Sequence, residues 1–381
     1  MEILVNSEKY RVYSLNEQCI VYRSSNASLH LLDDLPAWLL LALDAGLNKT
    51  EIQREALKNQ ISVDQLNSAF REIDKLLDSN FPPSSYRQEY TDLIQHSVGP
   101  ELVSSPLFSV SLIGKYFHLD TNCPRFANYL QTLSSKLQLD DGNQIDYQIF
   151  IEHFEDTYHI KCNDFLVAEV SVYEKIMPIL MDHMQILAYQ SSHYLMAVHS
   201  AMLMRNGKGL MLPGKSGSGK STLCLSLLKK GFSCYSDEIS VLSLNDHQLM
   251  PIPLPAAIKS GSWNIMSDDF PDITSLPVWH RTDGRRLKYI DFPIIENNLK
   301  NVPVSCIVFP HYSNDYKTCK LEPINSVAAL AGLTEAGYQI KDDLTAEKVE
   351  QILEWISQTP AYHLRYSNLY DAHKAIHQLL K

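Results

Sequence analysis

The sequence lacks the features of membrane and secreted proteins. No apolar run approaches the roughly 20 residues that a transmembrane helix needs, and Met1–Val5 has no basic flank of the kind found in signal peptides. The seven cysteines include no C-x-x-C pair, and their odd number and wide spacing favour reduced, mostly buried thiols over disulfides or a zinc site. We therefore expect a cytoplasmic protein that does not bind a membrane.

Positive charge is also scarce. The formal net charge is −11 over 381 residues, which disfavours nucleic acid as the main partner because phosphate backbones are bound through positive surface. The composition is otherwise ordinary for a globular protein, with 45% hydrophobic and 20% charged residues. The length allows two or three domains, each with a core of its own.

The clearest local signal follows a short apolar run, Leu210–Leu212, which is typical of a buried strand. A helix is predicted from Thr222 to Lys230, with Gly231 as its stop. Between strand and helix the sequence fits the P-loop pattern G-x-x-x-x-G-K-[ST]. The predicted phosphate-binding residues are Gly214, Lys215, Ser216, Gly217, Ser218, Gly219, Lys220, Ser221 and Thr222. This context favours a loop whose amides hold the phosphates of ATP over a glycine-rich loop without a ligand.

Two carboxylates follow one helix later. Lys220 would reach the β- and γ-phosphates, and the Ser221 hydroxyl would ligate Mg²⁺. A second strand, Phe232–Tyr235, leads into Asp237 and Glu238, which the end of that strand would place near the phosphates. One of the two carboxylates could hold Mg²⁺ while the other orients or deprotonates an acceptor hydroxyl, the alternative being an exposed acidic turn.

The loop Gly214–Thr222 followed by Ser236-Asp237-Glu238 resembles the C-terminal domain of HPr kinase/phosphorylase and, more closely, the HPr-kinase-related proteins of peptide-modification gene clusters. The resemblance covers about residues 100–381 and implies an α/β P-loop fold with a mixed sheet and flanking helices, as in phosphoenolpyruvate carboxykinase. HPr kinase has two aspartates at this strand end, so Glu238 leaves the division of roles with Asp237 open. With this resemblance we predict that Asp237 binds the metal and that Glu238 acts as the base. The resemblance also implies that His199 lies in the active site, whereas chemistry alone favours a buried core histidine.

A cationic cluster around Asp283-Gly284 supplies further candidates: Arg281, Arg285 and Arg286. A guanidinium could stabilise the charge on a transferring phosphoryl group, and we rank Arg285 or Arg286 ahead of Arg281. Lys259 follows a run of prolines and either contacts a phosphate or is solvated. The segment Gly261–Arg281 has little periodicity and is predicted to be a mobile loop over the site.

Residues 1–80 are predicted to form a separate, winged-helix-like α+β domain. Short strands at Glu2–Val5, Tyr10–Tyr13 and Cys19–Tyr22 precede three helical patterns. The stretch Leu31–Leu77 resembles PqqD-like peptide-recognition domains, which implies that a leader peptide adds a strand to the sheet. A dimerisation module is the alternative. Residues 81–100 are predicted to be a linker, and 101–381 the kinase-like domain.

These patterns together predict an ATP-dependent, Mg²⁺-requiring kinase that phosphorylates a Ser or Thr hydroxyl on a peptide or small protein, such as a ribosomally made precursor. The N-terminal domain would recruit that substrate. Two alternatives stay open: a kinase for a free amino acid, and a non-enzymatic, ATP-gated peptide-binding or chaperone module. A homo-oligomer is possible, and the acceptor and any reverse phosphorylase activity stay open.

Overall fold

The computed structural model describes residues 1–25, 27–77, 107–133, 145–163, 165–215, 217–291 and 300–380. Ser216 and the predicted linker 81–100 therefore lie outside the described residues. The chain divides into two compact units. The first comprises Met1–Gln88, Pro323–Ala331 and Ile340–Ala361, and the second comprises Glu89–Glu322, Gly332–Gln339 and Tyr362–Lys381. None of the described helices is long and apolar enough to cross a bilayer.

The first unit is built on a four-stranded antiparallel sheet in the order β1-β2-β3-β4. Its strands are β1 (Glu2–Asn6), β2 (Tyr10–Leu15), β3 (Gln18–Arg23) and β4 (Ser28–Leu32). Its helices are α1 (Asp34–Asp44), α2 (Lys49–Lys58), α3 (Val63–Leu77) and, from the second half of the chain, α9 (Ala346–Gln358). The sequence predicted only three strands, because the leucines of β4 merge with the apolar run that opens α1. The winged-helix-like assignment stays a prediction.

This small sheet is covered on both faces. Val12 and Tyr13 are neighbours in β2, so their side chains point to opposite faces, yet both are 0% exposed. Val12 packs in the core that α1 and α3 close. On the other face the Tyr13 hydroxyl lies 3.3 Å from Glu350 Oε1 of α9, and Arg11 forms a 2.7 Å ion pair with the same carboxylate. A helix from the C-terminal half thus completes the core of the N-terminal sheet.

The second unit contains a five-stranded sheet in the order β5-β6-β7-β8-β9. The strands are β5 (Phe108–Leu112), β6 (Lys115–Thr121), β7 (Tyr147–Phe154), β8 (Thr157–Cys162) and β9 (Phe165–Val170). Only β6 and β7 run parallel, and α4 (Pro124–Leu133) lies in the connection between them. A parallel pair needs such a crossover, whereas its antiparallel neighbours are joined by tight turns.

A larger mixed sheet forms the centre of this unit. Its strands are β10 (Tyr194–Val198), β11 (Ser200–Arg205), β12 (Lys208–Pro213), β13 (Ser233–Ser236), β14 (Ser240–Ser243), β15 (Gln248–Met250), β19 (Val302–Tyr312), β20 (Lys320–Ile324), β21 (Tyr338–Ile340) and β22 (Ala361–Tyr366). The path runs β13-β11-β12-β19-β15-β14-β10, with β22 beside β19. The pair β12/β19 is parallel, whereas β11 is antiparallel to both of its neighbours.

Four further helices belong to the described chain: α5 (Ile176–Gln190), α6 (Lys220–Leu228), α8 (Ser326–Ala336) and α10 (Leu369–Leu379). The leucines of α6 pack with those of β11 and β12 in one buried core. The prediction of an α/β fold with a mixed sheet and flanking helices is therefore confirmed at this coarse level. The helix after the P-loop pattern begins at Lys220, directly after the last glycine of the motif.

The predicted mobile loop at 261–281 is wrong. The segment forms two short 3-10 turns, the helix α7 (Trp263–Met266) and the strand β17 (Trp279–His280), which joins β16 (Ala256–Lys259) and β18 (Arg286–Ile290) in a small sheet. Met266 and Trp279 are 0% and 1% exposed. The Lys288 ammonium donates to the carbonyl of Ile273 in this segment at 2.6 Å. Scattered apolar anchors without helical spacing hold this segment, which is why periodicity missed it.

Candidate functional site

The loop between β12 and α6 requires glycine at several positions. Gly217 and Gly219 have φ values of +92° and +91°, in the left-handed region that other residues rarely adopt. A Cβ atom on Gly219 would also clash with the Tyr366 hydroxyl, and one on Gly214 would come within 2.6 Å of Ser218 Oγ. The strand, the tight loop and the helix N-terminus that the motif predicts are therefore all present.

The other members of the motif have different surroundings. Ser218 Oγ is buried without a hydrogen-bond partner among the described residues. Lys215 is exposed and pairs with Glu335 at 3.2 Å, whereas Thr222 Oγ1 lies 2.8 Å from Ser262 Oγ. Ser221 occupies the first turn of α6. Ser216 lies outside the described residues, so its predicted contact is untested.

Lys220 is buried and linked to both candidate catalytic groups. Lys220 is only 4% exposed, and its Nζ lies 2.9 Å from His199 Nε2. An ammonium can only donate, so Nε2 accepts and the ring proton resides on Nδ1. Nδ1 faces Glu238 Oε1 at 3.7 Å. His199 thus lies between the motif lysine and the carboxylate at the end of β13, and its place in an active site stays a prediction.

Burial dominates the electrostatics of this pair of basic groups. It lowers the pKa of Lys220, although Glu238 and Asp237 act in the opposite direction. Burial and then the charge of Lys220 lower the pKa of His199, so the ring is neutral at physiological pH. Lys259, at the end of β16, adds positive charge that acts on both groups. The site therefore concentrates positive charge where an anion would be stabilised.

The two predicted carboxylates have opposite pKa shifts. Burial and the neighbouring charge of Glu238 raise the pKa of Asp237 to about 7, and its Oδ2 accepts a hydrogen bond from Ala257 N at 2.9 Å. Burial acts to raise the pKa of Glu238 as well, but the cations around it, Lys220 first, outweigh burial and lower it. A carboxyl group with a pKa near 7 is the better proton acceptor at neutral pH. On geometry and charge alone, either residue can serve as base, and Glu238 is the one whose pKa is lowered.

Arg281 is the guanidinium that the fold brings to Glu238. Its Nη1 lies 3.8 Å from Glu238 Oε1, and its Nη2 lies 3.0 Å from Asp182 Oδ2. The buried Trp279, two residues earlier, packs against Phe126, Tyr129 and Tyr173 and fixes the strand that carries Arg281.

The two arginines that the sequence ranked higher have other partners. Arg285 Nε donates to Asp283 Oδ2 at 2.7 Å, and the Arg286 guanidinium lies 5.5 Å from the centroid of the Trp263 ring. The predicted ranking of these arginines does not match their positions. Sequence spacing could not separate them, because β17 and the turn before β18 aim the three side chains in different directions.

Sequence reasoning missed Asp182. It lies in α5, where burial raises the pKa of its carboxyl while Arg281 opposes that shift. The available signal was that Asp182 is the only carboxylate in the mostly apolar sequence IMPILMDHMQILAYQ, since carboxylates are seldom buried in a core without a partner.

The donors near the loop fit a magnesium nucleotide. Among the described residues, no three His, Cys, Asp or Glu side chains converge as a metal site. Mg²⁺ in phosphoryl-transfer sites needs only one or two protein oxygens, because substrate phosphates and water complete its shell. The hydroxyl of Ser221 and the half-buried carboxyl of Asp237 are of the required type, and a cation at Asp237 would favour its ionised form.

Comparisons with known proteins identify no family for the chain. No family model matches it, and no curated protein matches it. Among solved structures, the Hpr(Ser) kinase/phosphatase from Coxiella burnetii is similar at 14% identity, over 48% of this chain and 96% of that chain, with a TM-score of 0.23.

The raised pKa of Asp237 predicts a pH-dependent stability. In the unfolded chain this carboxyl ionises near its ordinary pKa of 3.8, whereas in the folded chain it keeps its proton up to about 7. The folded state then binds one more proton, so stability falls as pH rises between those two values. We expect Asp237→Asn to remove this fall, as measured by urea unfolding in EDTA from about pH 5 to about pH 7.5.

Asp283→Asn is the matched control for this prediction. Hydrogen bonds from Arg285 lower the pKa of Asp283 to about 2. The contribution of the Asp283 carboxylate to folding stability is therefore lost only in acid and stays constant between about pH 5 and about pH 7.5. Parallel stability curves for the wild type and Asp237→Asn would contradict the raised pKa.

Proposed function

We propose that this protein is an ATP-dependent phosphotransferase that acts on a serine or threonine hydroxyl. The observation that carries the proposal is the position of Lys220. Its ammonium is buried directly after the phosphate-binding loop and joined through His199 to Glu238. A buried lysine is costly unless a charged ligand or an acidic partner compensates it. A nucleotide phosphate on one side and the carboxylates on the other would provide that compensation.

Each group around the loop would have a role that suits its chemistry. The loop amides and Lys220 would hold the β- and γ-phosphates of ATP. Ser221 and Asp237 would hold Mg²⁺, which when bound neutralises charge on the phosphate oxygens. Arg281 would stabilise the equatorial oxygens of the group in transfer. Lys259 adds positive charge on the same side.

Glu238 would orient the acceptor hydroxyl. The surrounding cations keep its carboxylate ionised, so it can accept a hydrogen bond from that hydroxyl. As the hydroxyl oxygen bonds to the γ-phosphorus, its proton passes to Glu238 and ADP leaves with the electrons of the broken P–O bond. A loose transition state makes this proton transfer late, so orientation matters more than basicity. His199 would be a positioning residue for that carboxylate.

The Glu238→Gln variant tests the proposed base. It keeps the size of the side chain but loses the negative charge, and general-base contributions are typically about 10²- to 10⁴-fold. We expect a loss of that size in the rate of radiolabel transfer from ATP, with nucleotide affinity retained within a few-fold. Glu335→Gln, at the exposed partner of Lys215, should keep full activity. Full activity in Glu238→Gln would show that Glu238 is not the base and would leave Asp237 as the candidate.

Matched variants of Arg281 and Arg285 test which guanidinium stabilises the transition state. Arg281→Lys should lower kcat on the order of 10²-fold or more, because a lysine cannot place two donors toward Glu238 and Asp182 at once. Arg285→Lys should change kcat little, since Arg285 pairs with Asp283. Steady-state kinetics with ATP and an acceptor peptide measure both. Equal losses in the two variants would exclude a special role for Arg281.

We propose a peptide as the acceptor, recruited by the first unit. Among the described residues, β1 and β4 are the outer strands of its sheet, and outer strands can accept an added peptide strand. Recruitment would give effective concentrations in the millimolar range if the connection is short. Because α9 packs on β2, deletion of residues 1–80 would uncover that helix, so point substitutions are the cleaner test.

Exposed leucines allow that test. Leu31 on β4 is 50% exposed and Leu57 on α2 is 65% exposed, so neither change to Glu should unfold the unit. We expect Leu31→Glu or, on the opposite edge, Ile3→Glu to raise KM for a precursor that carries its leader, by roughly tenfold. KM for the leaderless core peptide should not change, and Leu57→Glu should affect neither substrate. Unchanged KM in both edge variants would contradict recruitment at this sheet.

A free amino acid is the second candidate acceptor, and one observation favours it. Beside Glu238, Arg281 and Asp182 form a 3.0 Å ion pair, whose charges match the carboxylate and the ammonium of a free amino acid. Comparing L-serine with N-acetylserine amide separates the candidates, since only a site for the zwitterion rejects the blocked form. Absence of any product with saturating ATP, Mg²⁺ and a bound peptide would instead favour a non-enzymatic, ATP-gated module.

A further inference from the structure

Two histidines that the proposed function does not use lie beside each other on the central sheet. His311 is on β19 and His363 is on β22, and these strands are neighbours. His311 Nε2 and His363 Nδ1 are 3.1 Å apart, and the ring centroids are 5.0 Å apart. His311 is exposed and His363 is half-buried, so the pair is open to solvent on one side.

The spacing of these nitrogens suits joint coordination. Two imidazole nitrogens that each bind one metal at about 2.0 to 2.1 Å with a near-tetrahedral angle are about 3.3 to 3.4 Å apart. The two nitrogens are 3.1 Å apart in the structure, at the distance of a hydrogen bond. Only a small rotation of the rings would therefore be needed for both nitrogens to bind one ion.

The surrounding structure holds both rings in place. The two strands fix the backbones, and the Phe309 ring lies 5.8 Å from that of His363. The next residue along β19, Tyr312, donates its amide to the Ser218 carbonyl at 3.2 Å, so the pair adjoins the phosphate-binding loop. Glu335, whose charge acts on His311, pairs with Lys215 of that loop. The charge of one carboxylate thus acts on His311, whose side chain is open to solvent.

We propose that His311 and His363 form a binding site for a borderline transition-metal ion, with Zn²⁺ as the probe. Two imidazoles would be its protein ligands, and water would complete the shell. Imidazole suits Zn²⁺, Cu²⁺ and Ni²⁺, whereas Mg²⁺ takes oxygen ligands. The site is therefore chemically distinct from the one proposed at Ser221 and Asp237, and it does not depend on the proposed phosphotransfer.

Isothermal titration of the full chain with ZnCl₂, without nucleotide, tests the proposal. We expect one equivalent to bind. His311→Ala and His363→Ala should each weaken binding by at least roughly tenfold, since even loss of a second-shell partner costs roughly 10- to 100-fold in metal affinity. His159→Ala is the matched control, because His159 is also near carboxylates, 3.4 Å from Glu152 and 3.5 Å from Glu169. This variant should bind as the wild type does.

Two further measurements keep the result unambiguous. Titration with Co²⁺ should give no thiolate charge-transfer band, which excludes the half-buried Cys19 and Cys319 as ligands. His311→Gln and His363→Gln, with melting temperatures near that of the wild type, should repeat the loss seen with alanine. No binding by the wild type, or equal binding by the wild type and the two His363 variants, would overturn the proposal and leave a plain hydrogen bond between two histidines.

Discussion

The burial of one ammonium group organises the second unit. Lys220 must sit at the start of α6 if it is to reach a phosphate, and that position lies beneath the loop, away from water. Its charge is tolerated because His199 accepts a hydrogen bond from it and because Glu238 and Asp237 lie close enough to raise its pKa again. The same lysine then helps to keep Glu238 ionised. The charges of the site are therefore interdependent, and none can be changed without shifting the others.

The elements that supply these charges are held by apolar contacts at a distance from them. Trp279 in its aromatic cluster fixes the strand that leads to Arg281. The α5 core places Asp182 opposite that guanidinium. Large buried rings are well suited to this, because they bury much area while losing little side-chain freedom. The site is thus preorganised by packing, with its polar groups at the ends of rigid elements.

The first unit illustrates a different constraint. A small sheet with two apolar faces cannot be stable with helices on one face alone, and the chain covers the second face with α9 from far along the sequence. Arg11, Tyr13 and Tyr22 all make polar contacts with that part of the chain. The unit is therefore compact in space but discontinuous in sequence, so cutting the chain near residue 80 would not release it intact.

The sequence by itself determined the features that depend on neighbouring residues: the strand, glycine turn and helix around Lys220, the acidic pair at the end of β13, and the alternation of helices and strands. Local backbone sterics and periodicity fix these. Only the tertiary structure decided which arginine reaches Glu238, that Asp182 faces it, that α9 belongs with the first sheet, and that His311 meets His363. Each of these pairs joins residues far apart in the sequence or aims neighbours in different directions, and such placement follows from the packing of whole elements rather than from any local pattern.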